Sequence, residues 1–189
     1  MLDQQLSSDG SLIAASLTDA AAFAAVFDRH WLAIHRWCVS RAGPAGEDLA
    51  AETFRVAFDE RARFDPRYDD ARPWLYGIAT NLLRHFFRSA ARRGEPPISR
   101  DVDFTEDALG RVEARALGPE LAAALRSVAS IDRDALLLHV WADLTYPEIA
   151  RATGIPVGTV RSRLHRLRAK VRRGLGGIDP TATFEEYPA

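Results

Sequence analysis

The stretch Leu144-Thr-Tyr-Pro-Glu-Ile-Ala-Arg-Ala-Thr-Gly-Ile-Pro-Val-Gly-Thr-Val-Arg-Ser-Arg-Leu-His-Arg-Leu-Arg168 decides how the rest of this chain is read. Thr145 followed three residues later by Glu148 spells a capping box. In such a box a hydroxyl accepts from a free N–H of the first turn and a carboxylate reaches back to the cap's own amide, so a helix starts at Tyr146. Gly154 supplies the left-handed exit that ends it, and Pro156 is tolerated where the next helix opens because no donor is needed there. The pattern is helix, tight turn, helix. In the second helix Val160, Leu164, Leu167 and Val171 follow at intervals of four, three and four, which sets them on one face. The remaining face carries Arg161, Ser162, Arg163, His165, Arg166, Arg168, Lys170, Arg172 and Arg173. A helix fixed to its own domain on one side, with long donors on the other, meets the needs of a major-groove reader. Arg161, Ser162, Arg163, His165 and Arg166, near the helix start, are placed for base edges, and the later cations, Lys170 among them, for phosphates. The competing reading is a basic face turned to solvent, and the capped helix in front weighs against it. The two differ in salt dependence: each phosphate neutralised lowers log K by about 0.9 per decade of salt, and a solvent face contributes almost nothing.

Outward from this segment the charge is uneven. Lys and Arg number 25 against 26 Asp and Glu, a formal net charge of -1 that by itself argues for no nucleic-acid partner. Yet residues 157 to 173 hold seven basic groups and no acidic one, whereas residues 94 to 120 hold seven acidic and three basic. A neutral sum conceals a basic end and an acidic middle. Hydrophobic residues at 47% support folded cores, and 189 residues allow one ordinary domain or two small ones. The single cysteine, Cys38, excludes an internal disulfide framework or multi-cysteine metal site and suits a reducing cytoplasm. No Lys or Arg precedes Arg29, and the apolar run Leu12 to Ala15 is too short for a signal core or a membrane span. Residues 1–18 read as a flexible N-terminus.

Phe23, Val26, Phe27, His30, Trp31, Ile34, Trp37 and Cys38 recur at helical spacing, so Asp19 to Ser40 reads as an amphipathic helix capped by Asp19. A second helix opens with Glu47 and Asp48, acids suited to the positive end of a helix dipole, and runs to about Arg61. After the turn-rich loop from Phe64 to Arg72, Pro73 starts a third helix that continues to about Arg92, with Leu75, Ile78, Leu82 and Phe86 as its buried stripe. On that helix Arg84, Arg88, Arg92 and Arg93, interleaved with aromatics, make a platform for single-stranded DNA, although Trp74, Phe86 and Phe87 are rings of a kind more often found in cores. Gly94 to Gly118 contains Pro96, Pro97 and scattered acids and reads as a linker. A second unit begins near Pro119 with Leu121, Leu125 and Val128 and continues to Trp141. No strand pattern is present. The expected fold is therefore all-α: two small helical domains, 19–93 and 119–175, joined by a flexible acidic linker, 94–118, with a C-terminal tail, 176–189.

Three blocks carry a family resemblance. They are Glu47-Asp-Leu-Ala-Ala-Glu-Thr-Phe-Arg-Val-Ala-Phe58, Pro73-Trp-Leu-Tyr-Gly-Ile-Ala-Thr-Asn-Leu-Leu-Arg84 and Val157-Gly-Thr-Val-Arg-Ser-Arg-Leu164. In that order they resemble domains 2 and 4 of the extracytoplasmic-function (ECF) sigma factors, a subfamily of the bacterial sigma-70 family of RNA polymerase sigma factors. The resemblance spans about Phe23 to Leu175. It implies a non-enzymatic factor that directs core RNA polymerase to specific promoters and promotes DNA opening. Asp48, Leu49, Glu52 and Phe54 match the family's pattern for docking on the clamp helices of the largest polymerase subunit. Ala51 stands where the family often has Gln, which removes one polar contact. The resemblance also implies contact with the flap of the second-largest subunit. It assigns Asn81, Trp74, Arg84, Arg88 and Arg92 to the minus-10 element, with loop residues Phe64 to Arg72 holding an extruded base. Arg161, Ser162, Arg163, His165, Arg166 and Lys170 go to the minus-35 element. An anti-sigma factor is a further partner that the family allows; a cofactor, a metal and membrane insertion are not implied.

Two other classes stand beside this one. A helix-turn-helix regulator with a helical sensor domain would share the C-terminal half but need not carry the blocks at Glu47–Phe58 and Pro73–Arg84. An enzyme would need a constellation that the sequence lacks: there is no nucleophile elbow, phosphate loop or Cys/His cluster. Asp48 with Glu52 is a thin acid pair, and His30 and His35, five residues apart, fall on different helix faces.

Overall fold

The computed structural model describes residues 8–94 and 129–174, and among these every regular element is helical. The chain falls into two units. The expected linker beyond Gly94, the onset of the second unit at Leu121, Leu125 and Val128, and the C-terminal tail fall outside the described residues.

The first unit contains α1 (Asp9–Ala15), α2 (Phe23–Ala42), α3 (Ala45–Glu60) and α4 (Arg72–Arg92), with single 3-10 turns at Ala20–Ala22 and Arg61–Arg63. Asp19 caps the first of these turns, its carboxylate accepting from the Ala21 N–H at 3.1 Å, and α2 follows directly. Gly43 closes α2 with φ of 57°, a left-handed value that suits glycine. Gly46 then lets α3 turn back at close range, since a Cβ there would collide with the backbone of Val39. Glu47 and Asp48 occupy the first turn of α3, where their charge complements the helix dipole. Val26, Ile34, Trp37, Cys38, Ala50, Ala57, Leu75, Ala79 and Leu83 are all essentially sealed from solvent and form the core of α2, α3 and α4. Trp37 meets Tyr76 edge-on at 5.2 Å between ring centroids. Burial pushes the Cys38 thiol up to about 12 despite the nearby Arg41 charge, so this cysteine is a packing residue and not a nucleophile.

Two expectations are corrected here. Helix α4 buries Leu75, Tyr76, Ala79, Thr80, Leu83 and Ala90, while Ile78, Leu82 and Phe86 are only half-buried. The buried face of α4 therefore runs through Leu75, Ala79, Leu83 and Ala90 and leaves Ile78, Leu82 and Phe86 toward its flank. The N-terminal region is also not a loose lead-in throughout. Ser8 caps α1, its hydroxyl accepting from Ser11 N–H at 3.2 Å, and α1 inserts Leu12 and Ile13 into the core.

Asp9 is the polar anchor of α1. It is 3% exposed, and its carboxylate oxygens accept from Arg29 Nη1 at 2.6 Å and from the Ala71 N–H at 2.9 Å. His30 Nε2 lies 2.6 Å from the same carboxylate. Burial alone would raise this carboxyl, but hydrogen bonds from His30, Ala71 and Arg29 outweigh it and hold it down at about 2.

The second unit contains α5 (Ser130–Val140), α6 (Tyr146–Thr153) and α7 (Val157–Gly174). Asp143 takes φ of 52° in the turn after α5, a conformation that Asp tolerates better than most residues. That turn buries Leu144, whose N–H donates to Leu138 O at 3.0 Å. The capping box forms: the Glu148 carboxylate accepts from the Thr145 N–H at 2.7 Å. Gly154 ends α6 with φ of 70°. Ala135, Leu138, Ile149, Val160 and Leu164 are fully buried and Leu167 nearly so, which locks α7 by the face expected from its spacing. The Val171 side chain is outside the described residues.

Leu164→Ala should destabilise the second unit by about 2–5 kcal/mol, read as a lowered urea midpoint. In the first unit, Asp9 contributes about 2 kcal/mol of stability that is fully present above its ordinary value of 3.8 and is lost as pH falls through about 2. Acid titration of unfolding should show this step in the native chain and not in Asp9→Asn.

Candidate nucleic-acid and polymerase-binding faces

With Val160, Leu164 and Leu167 inside, α7 turns Gly158, Arg161, Ser162, His165, Arg166 and Ala169 outward as one exposed face. The Ser162 hydroxyl donates to Thr159 O at 3.1 Å, and Arg166 Nε donates to Ser162 O at 3.2 Å, so both side chains lie along the helix. Arg163 stands apart from this group. It is half-buried and pairs with Asp132 of α5 at 3.1 Å. Among the expected base-edge residues it is the one that the fold uses to fasten α7 to α5. The Lys170 side chain is outside the described residues.

On α4 the exposed positions include Asn81, His85, Arg88 and Arg92, spaced four, three and four, so the helix that buries Leu75, Ala79 and Leu83 presents one polar, cationic face. Arg92 Nη2 donates to Ser89 Oγ at 3.2 Å. Trp74 and Arg84 sit half-buried beside this face, with the Trp74 ring 5.0 Å from that of Phe64. The preceding loop is shaped by its own acids. Asp65 accepts from the Arg67 N–H at 3.1 Å and from its guanidinium at 2.6 Å, while Asp70 accepts from the Arg72 N–H at 2.8 Å. Between them Pro66, Arg67, Tyr68 and Asp69 are exposed.

On α3, Asp48 is exposed, Leu49 half-buried and Ala51 exposed. Glu52 is partly exposed and ion-paired with Arg55 at 2.5 Å, and Arg55 also reaches Asp59 at 2.7 Å. The Arg55 hydrogen bonds hold the Glu52 carboxyl below its ordinary range. Phe54 is 4% exposed. It backs a ladder on α2 that sequence reasoning did not single out: Phe27 stacks on Trp31 at 5.0 Å, Trp31 lies 5.4 Å from His35, and Phe54 lies 4.9 Å from Phe27. The spacing of four between Phe27, Trp31 and His35 was the available signal. Asp9, His30 and Asp70 place possible ligand atoms within 4.8 Å of one another. With Arg29 also bonded to Asp9, that cluster is a hydrogen-bond hub.

Residues 26–93 match the family model for sigma-70 region 2 and residues 119–171 that for sigma-70, region 4. The chain is 35% identical over 150 residues to the ECF RNA polymerase sigma-E factor of Salmonella typhimurium, covering 70% of this chain and 76% of that one. This chain belongs to the ECF sigma factors of the sigma-70 family. It is also 29% identical over 143 residues to the RNA polymerase sigma factor HrpL of Pseudomonas syringae, across 71% of this chain and 76% of that protein. Its fold is similar to the sigma factor RpoE of Bartonella quintana, solved as a complex with the anti-sigma factor NepR, with a TM-score of 0.61 and 22% identity over 82% of this chain and 96% of the other. As a sigma factor, the protein directs core RNA polymerase to promoters and promotes DNA opening, and no finding supports the sensor-regulator alternative. Sigma factors are non-enzymatic initiation factors. Among the described residues, no helix of this sigma factor is long and apolar enough to cross a membrane.

The two arginines at the start of α7 should separate by experiment. Arg161→Ala should leave unfolding unchanged, weaken promoter binding by about 1–3 kcal/mol and relax sequence preference at the base pair it reads. Arg163→Ala should lower the stability of the second unit by about 0.5 kcal/mol, because it breaks a partly exposed ion pair.

Proposed function

We propose that the protein works as a two-site promoter adaptor in the cytoplasm, with neither catalytic group nor cofactor of its own. The observation that carries this reading is the division of α7, with Val160, Leu164 and Leu167 buried and Arg161, Ser162, His165 and Arg166 exposed. That face reads the minus-35 element in the major groove, its first residues meeting base edges. The α4 face of Asn81, His85, Arg88 and Arg92 takes the minus-10 element. There Asn81 and the loop before α4 hold an extruded non-template base while the arginines track phosphates. Trp74 and Arg84 flank that path.

Asp48, Leu49 and Glu52 dock α3 on the clamp helices of the largest polymerase subunit, with exposed carboxylates facing a basic coiled coil. Phe54 contributes from beneath by fixing Phe27 and Trp31, which widen the apolar part of the same surface. The second unit reaches the flap of the second-largest subunit. Tethering both readers to one enzyme makes the second binding event intramolecular, so two individually weak contacts give selectivity through effective concentration. An anti-sigma factor that covers the α3 face would keep the protein from the polymerase.

The test is a split between recruitment and opening. Asp48→Arg should weaken binding to core polymerase by about tenfold, measured by competition against labelled native protein. Asn81→Ala should keep core affinity and slow promoter opening, followed with a fluorescent base analogue in the non-template strand. Normal run-off transcription by both variants would remove these assignments.

A further inference from the structure

Helix α1 touches the loop before α4 at its N-terminal end and the 3-10 turn ahead of that loop at its C-terminal end. At its N-terminal end the Asp9 N–H donates to Asp69 O at 3.0 Å, and the Asp9 carboxylate accepts from the Ala71 N–H at 2.9 Å. Gly10 lies so close to the loop backbone that a Cβ would stand 2.5 Å from Tyr68 O and 2.6 Å from Pro66 O. At its C-terminal end, Ser16 O accepts from Arg61 Nε at 3.3 Å, just before the loop begins. Arg61 is itself held by the Phe58 carbonyl at 2.5 Å and lies over the Phe58 ring at 3.9 Å. A seven-residue helix thus bridges the segment from the Arg61–Arg63 turn to the start of α4 at Ala71, seated by Leu12 and Ile13 in the core.

We propose that α1 is a strut that sets the shape of the loop from Phe64 to Arg72, with Asp9 and Gly10 acting as positioning residues for strand opening. The inference rests on the reading that this loop holds the extruded base. A loop whose exposed residues Pro66, Arg67, Tyr68 and Asp69 must receive a base gains if its backbone is fixed before the DNA arrives, since ordering it afterwards opposes capture. Asp9 supplies that fixation in two ways. Its carboxylate accepts from the Ala71 N–H at the start of α4, next to the Arg72 N–H that Asp70 holds at 2.8 Å. Its bonds to Arg29 and contact with His30 tie the same point to α2. The hydrogen-bond donors around Asp9 fill the places that a cation would need, which assigns the cluster a mechanical role.

The experiment uses the full chain assembled with core polymerase on a promoter that the native protein transcribes, supplied as duplex and as a pre-opened bubble. Asp9→Asn and Gly10→Ala are compared. The second adds a better helix former within α1, so simple loss of helix cannot explain its effect. Both should keep core affinity within about twofold, slow opening of duplex by about ten- to a hundredfold, and recover on the bubble template. In the free protein, the Ala71 amide of Asp9→Asn should exchange with solvent faster than in the native chain. Unchanged opening, unchanged Ala71 exchange, or parallel loss of core binding and bubble transcription would each overturn the strut. Tyr68→Ala and Asn81→Ala distinguish the premises. If these open duplex at the native rate, the base-holding reading itself falls; if they are slow while Asp9→Asn and Gly10→Ala are not, only the strut falls.

Discussion

The rotation of two amphipathic helices about their own axes is the constraint from which the two exposed cationic faces follow. Burial of Val160, Leu164 and Leu167 leaves α7 a single orientation, and with it a single set of outward residues. Burial of Leu75, Ala79 and Leu83 does the same for α4 and so turns Asn81, His85, Arg88 and Arg92 to solvent. Each fully buried aliphatic side chain contributes on the order of 1.5–3 kcal/mol, so a rotation that exposed the stripe would cost more than any surface contact could return. The cationic faces are therefore products of the cores behind them. A neutral whole-chain charge does not matter when packing sorts arginines to one side.

The helix-turn-helix was legible in the sequence because its signals are local. Thr145 with Glu148, Gly154, Pro156 and the apolar intervals of α7 lie within one short segment and each has a single structural meaning. The helices at Asp19, Glu47 and Pro73 were legible for the same reason, within a few residues at their ends. What failed was long-range. The stripe on α4 was read from its bulky residues, whereas the buried face also takes in Ala79, Thr80 and Ala90, which give no signal until the neighbouring helices are in place. Arg163 reads as one more arginine of a basic face, and only its pairing with Asp132, distant in sequence, shows that it fastens the domain. Phe54, matched to a docking pattern, proves to be buried under Phe27 and Trp31.

The N-terminal helix shows the same limit from another side. Ser8-Asp9-Gly10 has the composition of a loop, and the apolar run after it is short. A helix of that length has little stability by itself. It exists because Leu12 and Ile13 find a core and because Asp9 finds donors on α2 and at the start of α4. Ser8 as a cap ahead of Leu12 and Ile13 was the one available clue.

Site-specific photocrosslinking tests the central claim most directly. A photoreactive residue is placed singly at Arg161, His165, His85 or Arg88, or at the buried control Leu83, in complexes containing core polymerase and labelled promoter DNA. The account predicts that probes at Arg161 and His165 label the upstream element, that those at His85 and Arg88 label the non-template strand of the downstream element, that Leu83 labels neither, and that all DNA labelling depends on polymerase. Labelling of equal strength and position without polymerase, or upstream and downstream probes marking the same element, would contradict it.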